Sequence, residues 1–289
     1  MDAAQELQRV ETYVGRMPAL PVTVTKVIEI CNQPDTSPID LNRVISVDPV
    51  LMARVMKLIN SAYYGLEAKV TSLSRAIIML GVNTVKNLAL STAVVGAIGK
   101  SEISSALNMQ GFWRHSLGAG VTAKLIARRR GIDPRLIEEY FIAGLLHDIG
   151  KIPLNNALKE RYVNVLGVAD REHIGLAAAE QRELGFTHAD VGRLIGETWN
   201  IGTAAIDTLG FHHAVANYAE EHRDLVMTVH IANYFMNIAE VGFAGDRFPA
   251  RPEEGTYRAL GIDLSLLDDI EDEVDAEISK AEIFLKIVE

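Results

Sequence analysis

Apolar residues recur along this chain at the spacing of one face of a helix. The first clear case lies between positions 22 and 31, where successive apolar residues are one or three positions apart: Val24, Val27, Ile28 and Cys31. Side chains three or four positions apart lie on the same side of an α-helix, so this spacing predicts an amphipathic helix over residues 22–31.

Two pairs of a capping residue and a proline predict where the next helices begin. Ser37-Pro38 and Asp48-Pro49 each combine an N-cap side chain with a proline in the first helical turn. They predict helices over residues 39–47 and 50–59. Glycines at 65 and 81 separate two further predicted helices, over 72–80 and 82–98. We find no convincing strand alternation, and the predicted fold class is all-α.

The helical pattern continues after a short polar stretch. Residues 99–110 are small and polar, and we place a domain boundary there. The predicted division is an N-terminal helical subdomain (1–105), a helical bundle (106–242) and a C-terminal helical extension (243–289). The helices predicted beyond the boundary cover residues 112–130, 136–148, 172–184, 189–199, 203–209, 219–239 and 264–288.

The last predicted helix is strongly acidic on one side and apolar on the other. Its apolar residues Ile270, Val274, Ile278 and Ala281 are spaced by three and four. This pattern is typical of a solvated helix that packs by one face, and an acidic helix that binds a partner is the less favoured alternative.

Composition and charge narrow the class of protein. The 289 residues carry a formal net charge of −10, which argues against the broad basic surface that nucleic-acid binding needs. The single cysteine, Cys31, allows no internal disulfide. The polar, acidic start MDAAQELQRVE is unlike a signal peptide, and no apolar run is long enough for a membrane span. We expect a cytoplasmic protein without a nucleic-acid or membrane partner.

One short segment, HDIGK, stands among histidines that suggest a metal site. His147 and Asp148 lie in this segment, and the other histidines of the group lie in apolar stretches before and after it: His115, His188, His212 and His213. Imidazole and carboxylate donors suit a divalent transition metal, and this many donors can hold one or two ions. A histidine taken alone is more often a core or surface residue, but the set in this order favours a metal site.

The remaining histidines and the lysine have other expected roles. Lys151 follows the pair closely, where its ammonium can meet a phosphate without being a ligand. His173 and His222 are expected outside the site. His230 stands three positions before Asn233, so it is a candidate to support the ligands rather than to join them.

The first half of the chain contains three short motifs: MPALP at 17–21, Asp48-Pro49 at a helix start, and NSAYYG at 60–65. Together they resemble the HDOD domain, the HD-related output domain of bacterial signalling proteins. The second half resembles the HD superfamily of metal-dependent phosphohydrolases, with a motif order close to the HD-GYP subclass that degrades cyclic dinucleotides. The resemblance covers roughly residues 12–240 and implies an N-terminal helical subdomain packed on an HD-like helical bundle.

The resemblance also assigns roles to particular residues. It implies metal ligands at His115, His147, Asp148, His188, His212 and His213, with Asp148 bridging two ions and Lys151 contacting phosphate. Asp148 and Lys151 would be catalytic only in an active enzyme.

Three departures from the hydrolase pattern matter. Asn233 stands where the pattern has a final aspartate, and it would be a weak ligand because it brings no charge. Gly111 stands where an acidic residue would support a third metal. The GYP loop is missing after His213, which weakens any prediction of cyclic-dinucleotide recognition.

Three functions remain in competition. The leading hypothesis is a signalling module that retains one or two metal ions, with iron favoured by the resemblance over manganese, nickel or zinc, and that acts on a protein partner. The alternative is a metal-dependent phosphohydrolase or phosphodiesterase, with a phosphate-containing ligand at the metal site. A DNA-binding helix-turn-helix over residues 72–91 is less favoured, because its second helix carries a single cation, Lys86, among core-type residues.

Overall fold

Helices form the regular structure of this protein. The computed structural model describes residues 3–33, 35–98, 107–263 and 265–286. Within these ranges there is no β-strand, and the predicted all-α class is confirmed.

The helices fall into three runs along the chain. Those before residue 99 are α1 (Ala3–Val14), α2 (Val22–Cys31), α3 (Pro38–Ser46), α4 (Pro49–Ile59), α5 (Leu73–Leu80) and α6 (Val82–Ile98). Those of the central run are α7 (Met109–Arg129), α8 (Ile137–Leu146), α9 (Lys151–Leu158), α10 (Glu160–Glu172), α11 (Leu176–Leu184), α12 (His188–Trp199), α13 (Thr203–Phe211) and α14 (Arg223–Ile238). Those of the last run are α15 (Glu254–Leu260), α16 (Ser265–Ala281) and α17 (Ile283–Lys286).

The predicted helix starts in the first run are confirmed by their caps. The Ser37 hydroxyl accepts the backbone N–H of Asp40, and the Asp40 carboxylate accepts the backbone N–H of Ser37. The Asp48 carboxylate accepts the backbone N–H groups of Val50 and Leu51. These contacts satisfy N–H groups that have no partner inside the helix, so each helix begins at its proline.

Some predicted helix ends are wrong. The helix predicted over 136–148 ends at Leu146, and His147 to Gly150 form a turn that leads into α9. The helix predicted over 172–184 begins at Leu176 instead, because His173 adopts a left-handed conformation with φ of 53° and ends α10 at Glu172. The helix predicted from 219 begins at Arg223.

Four helices were not predicted: α1, α9, α10 and α15. In α1 the buried positions are Glu6, Val10 and Val14, spaced by four, so a glutamate interrupts the apolar pattern. The break between α9 and α10 falls at Lys159, which has a positive φ of 46° and is not a glycine or asparagine. Such a break leaves no turn residue in the sequence to mark it.

Helices α7 and α8 form the centre of the molecule and pack against each other very closely. A Cβ at Gly144 would lie 2.7 Å from the carbonyl oxygen of Ala119, and a Cβ at Gly120 would lie 2.6 Å from that of Phe141. Only glycines allow the two backbones to approach this far. Helix α14 and helix α16 pack on α7, and α6 packs on α8.

A buried polar cluster joins the first run of helices to the α7–α8 pair. The Lys124 ammonium donates to Glu138 Oε2 and to the Tyr63 hydroxyl, both at 2.8 Å. The Tyr64 hydroxyl donates to the other Glu138 oxygen at 2.8 Å. The NSAYYG segment therefore contacts the centre of the molecule through its two tyrosines.

The predicted domain boundary at 105/106 lies outside the described residues. The buried apolar side chains before and after it belong to one continuous cluster. Helix α6 is buried along most of its length, including Val85, Leu88 and Leu90, and so cannot serve as the recognition helix of a helix-turn-helix. The division into three parts stays a prediction.

The apolar stripe of the acidic C-terminal helix is buried as predicted. Ile270, Val274, Ile278 and Ala281 are all buried, and α16 packs on α7. Among the described residues, no single helix is long and apolar enough to cross a membrane; α5 and α6 reach that length only as a pair bent by 116°.

Candidate metal centre

The turn between α8 and α9 carries His147 and Asp148 into the interior. A Cβ at Gly150 would collide with the backbone carbonyl of His188 and the backbone nitrogen of Gly192. The glycine of HDIGK therefore lets the start of α9 lie directly on α12. This contact brings His188, the first residue of α12, to the Asp148 carboxylate.

Four imidazole nitrogens surround the Asp148 carboxylate, two on each oxygen. The Nε2 atoms of His115 and His147 lie 3.6 Å and 3.3 Å from Oδ2. The Nε2 atoms of His188 and His212 lie 3.3 Å and 3.6 Å from Oδ1. Asp148 is thus the common point of histidines from α7, α12, the α8–α9 turn and the end of α13.

These side chains form two sets of donor atoms that share Asp148. The four-donor group is Asp148, His188, His212 and His213, and the three-donor group is His115, His147 and Asp148. Within each group the donor atoms lie within 4.8 Å of one another. The sequence-predicted residues are therefore brought together, while His173 and His222 lie elsewhere, against Phe248 and Asp207.

Hydrogen bonds on the other ring nitrogen turn three of these histidines inward. The Nδ1 of His147 lies 2.6 Å from the Gly144 carbonyl oxygen, and that of His212 lies 3.0 Å from the Thr208 carbonyl oxygen. The Nδ1 of His188 lies 2.6 Å from Glu180 Oε2. A neutral histidine that donates from Nδ1 has its Nε2 lone pair free, which is the form that binds a metal.

Glu180 stands behind His188 and was not predicted from the sequence. It is fully buried, contacts both the backbone N–H and the ring of His188, and accepts the Tyr162 hydroxyl at 2.6 Å. A signal existed, because Glu180 falls on the apolar stripe formed by Leu176 and Leu184. A carboxylate on the buried face of a helix usually has a specific partner.

The pKa shifts at the site leave most of the candidate ligands in the protonation states that bind a cation. Burial alone would raise the pKa of Asp148, but His147 and Lys151 outweigh it and hold the pKa well below the usual range. Burial lowers the pKa of His115 and of His212 to about 3. Burial also lowers the pKa of His213 well below its usual value. These rings are neutral at pH 7, and Asp148 is ionised.

His188 differs from the other histidines. Burial would lower its pKa, but the Glu180 carboxylate raises it to about 9. Its ring lies between two carboxylates, with Nδ1 2.6 Å from Glu180 Oε2 and Nε2 3.3 Å from Asp148 Oδ1. A metal ion at Nε2 would replace the proton there.

Three buried donor atoms of the cluster make no hydrogen bond to the described residues. They are His147 Nε2, Asp148 Oδ1 and His213 Nε2. Buried polar atoms are nearly always paired, so unpaired atoms that face one another require a partner. A divalent transition metal satisfies nitrogen and oxygen donors together, and the residues present fit such an ion.

Hydrogen bonds and close packing define the surroundings of Asn233 and Gly111, the two residues that depart from the hydrolase pattern. Asn233 Oδ1 lies 3.0 Å from His115 Nε2 and accepts the Asn237 amide at 2.8 Å. At Gly111 a Cβ would lie 3.3 Å from the backbone of Phe243, whose N–H donates to the Gly111 carbonyl. The loop after α14 thus covers the position where the pattern has an acid. The Nδ1 of His230 contacts the His212 carbonyl oxygen at 2.7 Å, as expected of a supporting residue.

The cluster is closed to solvent except at His213. His115, His147, Asp148, Lys151, His188 and His212 are each at most 1% exposed. His213 is partly exposed as a residue, although its Nε2 is buried. Asp246, from the loop after α14, is also buried and has one oxygen without a hydrogen bond. Burial raises the pKa of Asp246, and Lys151 opposes that shift.

The HDOD domain family matches residues 17–215 of this sequence. The chain belongs to the HDOD family. The matched range includes the NSAYYG segment and every predicted ligand from His115 to His213, but not Asn233.

Solved structures of similar fold extend over nearly the whole chain. An HDOD domain protein of unknown function from Geobacter sulfurreducens has a TM-score of 0.76 at 24% identity and covers 98% of this chain and 99% of its own. A candidate phosphohydrolase from Shewanella amazonensis SB2B has a TM-score of 0.70 at 22% identity, with 97% and 98% covered. A candidate signal transduction protein from Marinobacter aquaeolei VT8 has a TM-score of 0.73 at 19% identity, with 99% and 66% covered. At these identities the likeness establishes the HDOD fold alone.

A curated relative is longer than this chain. An uncharacterized protein from Treponema pallidum (strain Nichols) is 28% identical over 220 residues, which is 76% of this chain and 42% of that protein. The chain therefore spans less than half the length of this relative.

Proposed function

We propose that this HDOD protein is a regulatory module that binds a divalent transition metal at the Asp148 cluster and acts on a signalling protein partner. The observation that carries the metal part is the meeting of five imidazoles at one buried carboxylate, with three donor atoms left unpaired. The chemistry of the donors suits iron, manganese, nickel or zinc, and the resemblance to HD proteins favours iron.

Burial of the cluster supports a module rather than an enzyme. A phosphoester must bring its phosphorus to the ligands, and those ligands are at most 1% exposed except at His213. An ion enclosed in this way can stabilise the folded protein without any substrate. Its binding or loss would then change the stability of the fold.

The surface of the first helical run supports an interaction with another protein. Large apolar side chains are exposed on α2 to α5 and at their junctions: Val22, Ile39, Val47, Val50, Ile78 and Met79. Contiguous apolar patches mark protein contacts, and we propose that these side chains contribute to such a patch. We expect the partner to be a signalling protein and the protein to be cytoplasmic, since its single cysteine fits a reducing compartment.

Metal content tests the proposal directly. Protein purified from cells should contain at least half an equivalent of transition metal by elemental analysis, and Asp148→Ala should lose it because Asp148 is shared by both donor groups. The control His173→Asn also removes an imidazole, but at a left-handed position that asparagine tolerates and away from the cluster. A folded wild-type protein without metal would contradict the proposal.

The second candidate function is a metal-dependent phosphohydrolase or phosphodiesterase. It is favoured by Lys151, whose buried ammonium lies beside the cluster, and by the similarity of fold to a candidate phosphohydrolase. A bound divalent ion would supply a Lewis acid to a phosphoryl oxygen. Lys151 would hold the phosphate, and Asp148 would hold the ion.

A screen of phosphoesters with added manganese or ferrous iron tests this second function. Turnover that is present in the wild type and lost in Asp148→Ala would establish it, because Asp148 belongs to both donor groups. Turnover that survives Asp148→Ala would come from a contaminant, and no turnover with a fully loaded protein would leave the module as the function.

A further inference from the structure

The two donor groups around Asp148 differ in how their atoms are already paired, and the difference bears on how many ions the cluster holds. This inference rests on the proposed metal site and specifies it further. The three-donor group has internal partners for most of its atoms, and the four-donor group does not.

An ammonium lies beside the oxygen that the three-donor group would use. Lys151 Nζ is 2.6 Å from Asp148 Oδ2, closer than either histidine of this group. A metal bound to the same oxygen at ~2.0–2.2 Å would therefore lie within about 5 Å of the ammonium. Both are buried, so the repulsion between them is poorly screened.

A second donor of this group, His115, is already paired with Asn233, the weak ligand candidate beside it. Asn233 Oδ1 contacts His115 Nε2 and also accepts the Asn237 amide, which uses both of its lone pairs. Asn233 brings no negative charge to offset an ion. A carboxylate cannot come from position 111 either, because the backbone of Phe243 covers Gly111. Of this group, His147 Nε2 alone is without a hydrogen bond.

The four-donor group has the opposite character. Asp148 Oδ1 and His213 Nε2 are unpaired, and the Nε2 atoms of His188 and His212 face each other at 3.3 Å. One proton can bridge two imidazole nitrogens at this distance, and a cation that binds both rings would take the place of that proton. Glu180 and the Thr208 carbonyl fix the two rings from behind. Four donors of this kind match the usual number around zinc and similar ions.

We propose that the cluster holds a single metal ion, in the four-donor group, and that the Lys151 ammonium occupies the role of the second cation. Lys151 in this protein is then a structural counter-charge for Asp148 Oδ2. The three-donor group supports Asp148 and does not bind an ion of its own.

Metal stoichiometry tests the proposal without any assay of activity. Apo-protein is loaded with excess ferrous iron without oxygen, or with Mn²⁺, and desalted, and the bound metal is measured by elemental analysis. The wild type should retain about one equivalent. Two equivalents would overturn the proposal while leaving the proposed metal function intact, and none in a folded protein would overturn both.

Two matched histidine variants locate the ion. His213→Ala should reduce bound metal at least tenfold at a limiting concentration, because it removes an unpaired donor of the four-donor group. His115→Ala should keep about one equivalent. The reverse result would place the ion in the three-donor group and overturn the proposal, and the wild-type stoichiometry remains decisive if either variant fails to fold.

A double substitution tests the role of Lys151. Asn233→Asp together with Lys151→Gln restores the missing carboxylate and removes the ammonium, so the loaded protein should gain a second equivalent. For Mn²⁺ the electron paramagnetic resonance spectrum should change from that of an isolated ion to that of a coupled pair. A folded double variant that stays at one equivalent would show that Lys151 does not exclude the second ion.

Discussion

At the scale of single residues, the behaviour of the cluster depends on what stands behind each ligand. His188 Nδ1 contacts Glu180, while His147 and His212 contact backbone carbonyl groups. A backbone carbonyl fixes the tautomer of a ring, whereas a carboxylate also makes the ring a stronger donor. Glu180 should therefore influence metal affinity although it is not a ligand.

We predict that Glu180→Gln weakens metal binding by about 10- to 100-fold, the usual effect of losing a carboxylate behind a histidine ligand. The dissociation constant for Zn²⁺, measured by competition with a chelating dye, checks this. The control Glu197→Gln changes an exposed glutamate of α12 that pairs with Arg193 at the surface. An affinity for Glu180→Gln within threefold of the wild type would contradict the assigned role.

At the scale of helices, glycines set the distances that bring the ligands together. Gly120 and Gly144 let α7 and α8 touch, and Gly150 lets α9 touch α12. His115 and His147 meet across the first contact, and Asp148 and His188 meet across the second. The glycine of HDIGK is required for packing and does not act in chemistry.

We predict that Gly150→Ala lowers the free energy of unfolding by about 1–3 kcal/mol, because the added methyl group forces α9 and α12 apart. Gly167→Ala is the control. It lies inside α10, where the added methyl meets only the Arg171 side chain, and it should be neutral or stabilising by up to about 1 kcal/mol. Urea denaturation followed by circular dichroism measures both, and equal stabilities for the two variants would refute the packing role of Gly150.

At the scale of the whole molecule, the first helical run is joined to the centre by the cluster of Lys124, Glu138, Tyr63 and Tyr64. Burial lowers the pKa of Lys124, and Glu138 opposes the shift. The pair lies on α7 and α8, which also carry His115 and lead to His147. The same two helices thus contact the NSAYYG segment at one point and contribute to the Asp148 cluster at another.

We predict that Lys124→Met destabilises the protein by about 3–5 kcal/mol, because it leaves the Glu138 carboxylate buried without a cation. Adding Glu138→Gln should recover much of this loss, since the charge is then removed. Lys26→Met, which breaks the exposed pair with Glu29, should change stability by less than about 1 kcal/mol. A cost for Lys124→Met as small as that of Lys26→Met would mean that the buried pair does not join the two parts.

Local signals explain which parts of the fold were predictable. Helix starts at Ser37-Pro38 and Asp48-Pro49 follow from side-chain caps a few residues away, and the buried stripe of α16 follows from its spacing. The predicted end of the helix carrying His147 was wrong, because the turn into α9 has no local marker apart from Gly150. The contact with α12 requires that glycine, and a residue so distant in sequence leaves no local signal.

The sequence by itself determined the all-α class, membership of the HDOD family through its motifs, and the set of donors from His115 to His213. It also showed that Gly111 and Asn233 stand where the hydrolase pattern has acidic residues. These properties are readable because residue type and short spacing fix the local conformation and the chemistry of each side chain. The tertiary structure alone decided that the donors meet at Asp148, that they divide into two unequal groups, that Glu180 stands behind His188, and that the site is closed except at His213. Those results depend on contacts between residues far apart in the chain, whose distances are set by the packing of α7, α8, α9 and α12.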